Sequence, residues 1–108
     1  VEIELNQNLD NLILAEESIL PVTYSLSQNY PNPFNPSTTI KYQIPADGNV
    51  RIIIYDVLGK EVQMLVNRFE KAGNYEISFN ASNLASGVYF YKMQSGSFSD
   101  IKRMLILK

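Results

Sequence analysis

The chain has few of the side chains from which catalytic sites are built. It contains no histidine and no cysteine. Imidazole bases, thiolate nucleophiles, disulfides and the usual zinc ligands are therefore excluded by composition. Serines are plentiful, but none lies in a Gly-x-Ser-x-Gly elbow, and a serine without a base is a poor nucleophile. Asp47, Asp56 and Asp100 fall in separate turns or strands, so they do not form the dense acidic loop that holds calcium. Asn80-Ala81-Ser82 fits the N-glycosylation tripeptide, a pattern common by chance. Tyr89 and Tyr91 share one side of any strand they occupy. Such a pair is a core element if buried and a sugar-stacking platform if exposed. The residues that remain suit recognition better than reaction. Chief among them is Asn29-Tyr-Pro-Asn-Pro-Phe-Asn-Pro-Ser-Thr-Thr-Ile40, in which three prolines and three asparagines surround two aromatics.

The elements that must position these residues follow from periodicity. Each proline fixes its own φ and keeps the residue before it out of the helical region, so residues 29–36 form an extended lead-in. Tyr30 and Phe34 are its expected apolar anchors, and truncating either to Ala is expected to cost roughly 2–4 kcal/mol if it is buried. Pro33 and Pro36 lack N–H donors, which suits a protected sheet edge, and a stiff Pro-rich linker is an equal reading of these residues. From Tyr24 onward the hydrophobic period is two. Short strands are expected over residues 24–28, 38–44, 50–57, 61–66, 75–79, 88–94 and 98–107, with turns at Asp47-Gly48, Leu58-Gly59-Lys60, Lys71–Asn74 and Ser95-Gly96. The Ile52-Ile53-Ile54 run predicts a central strand covered on both faces. Gly59 allows a positive φ in its hairpin, and Gly87 opens the strand that carries Tyr89. Leu84 is the expected plug of the polar connection before it. About seven short strands at regular spacing predict an all-β, immunoglobulin-like sandwich of antiparallel strands.

The bulk properties limit the partners. Nine basic residues against eleven acidic ones give a net charge of −2, which disfavours binding to a phosphate backbone, so no nucleic acid is expected. No apolar run approaches the ~20 residues of a membrane-spanning helix. Residues 1–23 break the pattern: Val1–Leu5 alternates, Asn6–Asn11 is polar, and Leu12–Leu20 is ambiguous before Pro21. They are expected to be a linker or the tail of a preceding domain, with residues 24–108 as the folded unit. The chain starts at Val1 with neither Met nor a signal-peptide pattern. It is therefore expected to be the C-terminal part of a longer protein.

Four motifs, in order, carry a family resemblance: the lead-in Asn29-Tyr30-Pro31-Asn32-Pro33-Phe34; Tyr55-Asp-Val-Leu-Gly59-Lys-Glu-Val62; Leu84-Ala-Ser-Gly87-Val-Tyr89-Phe-Tyr-Lys92; and the tail Lys102 to Lys108 with Met104–Leu107 between. Together they resemble the C-terminal sorting domain of the type IX secretion system, in the variety that opens with the Asn-Pro-Phe lead-in. The resemblance implies an immunoglobulin-like sandwich with no enzymatic activity and no cofactor. It implies a cargo domain upstream, transit through the periplasm, and a destination at the cell surface or outside the cell. The implied partners are the outer-membrane type IX translocon, its shuttle proteins, and a sortase that removes the domain by cutting upstream of Tyr24. Gly59 and Gly87 would serve folding, while exposed Lys102 and Lys108 would contact the machinery. Two other readings compete: a structural immunoglobulin-like spacer, and an accessory carbohydrate-binding module of a secreted hydrolase.

Overall fold

The computed structural model describes residues 20–108. Most of the expected linker lies outside the described residues. Seven antiparallel strands form two sheets, with no helix among the described residues. They are β1 (Ser25–Leu26), β2 (Ser37–Ile44), β3 (Gly48–Tyr55), β4 (Glu61–Glu70), β5 (Gly73–Asn80), β6 (Gly87–Ser95) and β7 (Phe98–Ile106). One sheet has the order β1-β2-β5 and the other β4-β3-β6-β7. This is the expected sandwich, with the fourth strand joined to the sheet of β3, β6 and β7.

Alternation explains which residues meet between the sheets. Thr38, Ile40, Tyr42 and Ile44 of β2 point inward and are buried, as are Tyr89, Tyr91 and Met93 of β6 and Met104 and Ile106 of β7. Ile52 and Ile54 complete the centre from β3. Ile53 points to the opposite face yet is only 3% exposed and stands apart from the inner cluster. Its cross-strand neighbours Met64 and Lys92 flank it there. The prediction of a strand covered on both faces thus holds, with neighbouring side chains as the outer cover. Leu84 packs against the core as the expected plug.

Strand bounds differ from expectation in several places, and β3 spans Gly48–Tyr55 where residues 50–57 were expected. β1 is shorter than residues 24–28. After Ser27 N–H donates to the Lys41 carbonyl at 2.9 Å, the Asn29 side chain turns inward and interrupts the ladder. β4 runs four residues beyond Val66. Register shifts opposite Ile52/Ile53 and Ile54/Tyr55 break its apolar period. Its buried terminal residue is Glu70, a carboxylate. Polar partners make that burial tolerable: Tyr42 Oη donates to Glu70 Oε1 at 2.8 Å, and Arg68 Nε donates to Oε2 at 2.9 Å.

A tyrosine near the start of β6 anchors the corner that precedes it. Tyr89 Oη donates to the Ala85 carbonyl at 2.9 Å, the back-bond that marks a tyrosine corner in immunoglobulin-like sandwiches. On the same strand, Tyr91 Oη reaches across to the Ser27 carbonyl at 2.6 Å.

Candidate recognition site

The proline-rich lead-in crosses from one sheet to the other and closes a side of the sandwich. Its first half belongs to β2: Tyr30 N–H donates to the Thr39 carbonyl and Thr39 N–H donates back, both at 2.9 Å. A buried polar node holds the turn between. Asn29 is 2% exposed. Its Nδ2 donates to Thr38 Oγ1 at 3.0 Å and to the Pro31 carbonyl at 3.1 Å, while Thr38 Oγ1 donates to the same carbonyl at 2.8 Å. Each buried polar group has a partner, so the node specifies the turn without a desolvation penalty left open.

The second half belongs to the last strand. Gln28 Nε2 donates to the Arg103 carbonyl at 2.6 Å, and Leu105 N–H donates to Asn32 Oδ1 at 2.9 Å. Phe34 N–H then donates to the Leu105 carbonyl, and Leu107 N–H to the Phe34 carbonyl, each at 3.1 Å. Side chains and main chain of the lead-in thus act as a partial eighth strand, parallel to β7 at Phe34 and Ile106. Phe34 is 3% exposed and meets Phe79 edge-on, with ring centroids 6.1 Å apart. The expected anchor role holds for Phe34 and fails for Tyr30, which is 81% exposed. The reason is local. Asn29 takes the inward position with its side-chain hydrogen bonds, and the next residue of an extended chain must point the other way.

The tail is held as well. Lys108 N–H donates to Ser86 Oγ at 2.9 Å, and its Nζ donates to the Ser82 carbonyl at 2.7 Å. Lys102 lies next to the ion-pair partner Asp100, with Nζ 3.7 Å from Oδ2, and its side chain is about one-third exposed. A groove of about 200 Å³ runs where lead-in and tail meet, lined by Asn32, Pro33, Val88, Arg103, Met104 and Leu105.

Most of the residues singled out from sequence therefore converge. Asn32, Pro33 and Phe34 lie along β7, Asn29 and Pro31 hold the turn against Thr38 of β2, and Gly87 and Tyr89 pair with Ile106 and Met104 on the other side of β7. Gly59 is elsewhere, in the β3–β4 turn. Its φ of 82° falls in the left-handed region and nothing would crowd an added Cβ, so torsion alone selects glycine. Asp56 braces that turn by accepting from Leu58 N–H and Lys60 N–H, both at 2.9 Å. Gln28, Thr38, Ser82 and Ser86 do part of the clasping and carried no signal in the sequence beyond their closeness to the motifs. The Tyr89–Tyr91 pair is buried, so it offers no platform for a sugar.

The family model for the secretion system C-terminal sorting domain matches residues 28–107. This chain belongs to that family. The match begins at Gln28, whose side chain bonds across to β7, and ends at Leu107, the last to bond the lead-in main chain. Sorting domains of this family are signals and are typically non-catalytic. Membership implies a secreted or surface protein that interacts with secretion machinery. No curated protein sequence matches the chain. Within the sorting domain, the lead-in and the tail form one continuous surface.

Proposed function

We propose that this sorting domain directs an upstream cargo through the outer membrane by the type IX secretion system. It acts by being recognised. The folded domain, residues 24–108, presents the lead-in and the tail to the translocon and its shuttle proteins. A sortase then separates it from the cargo by cutting within residues 1–23. Tyr30–Pro33, held by the buried Asn29 and Phe34, and the strand Lys102–Lys108 form the recognised surface. Lys102 and Lys108 supply its positive charge, and Gly59, Gly87 and Tyr89 maintain the fold that displays it.

The observation that carries this reading is the hydrogen-bonded clasp between residues 28–34 and residues 103–107. It makes two motifs far apart in sequence a single surface, which is what a protein receptor can read. A transplant tests the proposal. Residues 24–108 are fused behind a signal peptide and a fluorescent reporter, in a host with type IX secretion and in its translocon-null twin. Surface display in the parent and periplasmic retention in the twin are expected, with a drop in product size where the sortase acts. If both strains retain the fusion in the periplasm and restoring residues 1–23 does not rescue display, the domain is a spacer.

A further inference from the structure

The two sheets have four edges, of which one is very short, one irregular and one occupied. β1 is only two residues long and runs into the clasped lead-in. β4 carries two register irregularities along its pairing with β3, which deter edge-to-edge pairing. The outer edge of β7 is occupied by the lead-in from Arg103 onward, and ahead of it Ile101 N–H is taken by Asp100 Oδ1 at 2.9 Å. β5 differs. It pairs with β2 over eight residues without a shift, contains no proline, and has no strand on its other side among the described residues.

The direction of its main-chain groups follows from the ladder. Ala81 N–H donates to the Pro36 carbonyl at 2.8 Å. Alternation from that pair aims the main-chain groups of Phe79, Ile77 and Tyr75 at β2. The bonds of Thr39 and Lys41 to the opposite side of β2 agree with this phase. The N–H and C=O groups of Glu76 and Ser78 therefore face outward, about 7 Å apart at the rise of an extended strand. Both side chains lie on the exposed outer face, whereas Tyr75 and Ile77 are only partly covered at the rim of the core.

We infer that the β5 edge is a strand-addition site for an extended segment of the export machinery. The inference rests on the sorting reading above. The donor segment alternates in character. Its apolar side chains complete the cover over Tyr75 and Ile77, and its outward side chains are polar. A basic residue stands beside Glu76, the one charged side chain of β5. Main-chain hydrogen bonds to Glu76 and Ser78 hold it, as in other strand-addition complexes.

Backbone and side-chain variants separate this mode from ordinary side-chain contact. Ser78→Pro removes an outward N–H that has no partner among the described residues, which an edge strand tolerates. Ser78→Ala keeps that N–H. Both are made in the reporter fusion and displayed in the secreting host, with the purified variants melted alongside. The Pro variant is expected to stay folded and lose about ten-fold in display, the effect of roughly one lost main-chain bond; the Ala variant is expected to match the parent. Normal display of a folded Pro variant overturns the inference, and so does equal loss in the Ala variant. The unmodified domain gives a second readout that does not depend on the Pro variant folding. Amide exchange at Glu76 and Ser78 is expected to be fast in isolation and at least about ten-fold slower with purified translocon. Unchanged exchange overturns the proposal, as does protection that grows with domain concentration alone and so assigns the edge to a second copy. Failure of the parent fusion to be displayed would instead refute the sorting reading itself.

Discussion

Two aromatic residues four positions apart in the lead-in contribute in opposite ways. Phe34 fills the core against Phe79, whereas Tyr30 stands in solvent on a main chain fixed by Thr39. Phe34→Ala is expected to cost about 3–5 kcal/mol, and Tyr30→Ala less than about 0.5 kcal/mol, in denaturant titrations of the purified domain. Display of the reporter by the folded Tyr30→Ala domain is expected to fall if the exposed ring meets a partner, and unimpaired display would remove Tyr30 from the recognised surface. Tyr89→Phe removes only the bond to the Ala85 carbonyl and is expected to cost about 1 kcal/mol. Gly59→Ala places a Cβ in a left-handed turn and is expected to cost about 1–2 kcal/mol. The glycine requirement and the buried tyrosine pair were legible in the sequence, because turn chemistry and period-two alternation are local signals. The contrast between Tyr30 and Phe34 was not. Both are aromatics followed by polar or proline residues, and the asparagine node that decides which of them turns inward depends on Thr38, nine residues from Asn29.

At the scale of elements, strands with clean alternation could be read directly, and β2, β5 and β6 lie within a residue or two of their expected bounds. β4 could not, because its two register shifts scramble the period and its last inward position is Glu70. The prolines alone left the lead-in equally readable as a packed edge segment or a stiff linker, and the family resemblance favoured the edge. Its partner was not legible, because the bond between Asn32 and Leu105 spans 73 positions and no local pattern encodes it. Asn32→Ala is expected to unpin the middle of the clasp. Hydrogen exchange at Leu105 should rise about ten-fold through local opening while that of β3 stays unchanged. Equal exchange at Leu105 in both proteins would show that Asn32 does not secure the edge.

For the molecule as a whole, two buried phenols set an alkaline limit. Burial pushes the Tyr91 hydroxyl up to about 12. Burial, followed by the hydrogen bond to Glu70, pushes Tyr42 up as well. In the unfolded chain each phenol loses its proton near pH 10, while the folded domain keeps it. Stability is therefore fully present below about pH 10 and falls as pH rises through the folded values. The melting temperature is expected to drop steadily between about pH 10 and 12, and Tyr91→Phe should flatten that slope. Around neutral pH the domain is insensitive to these groups, so the charged tail can be altered without disturbing them. Replacing both Lys102 and Lys108 by Gln is expected to leave the melting temperature within a few degrees, the range of a surface change, and to abolish display of the reporter. Unimpaired display would remove both lysines from the recognised surface. The clasp also settles when that surface can come into being. Its two halves are the first and last parts of the fold to be made, and a nascent chain that stops short of Arg103 has a lead-in with nothing to close upon. A receptor that read the closed clasp would read completion of this fold, because a chain ended before Arg103 could not close it.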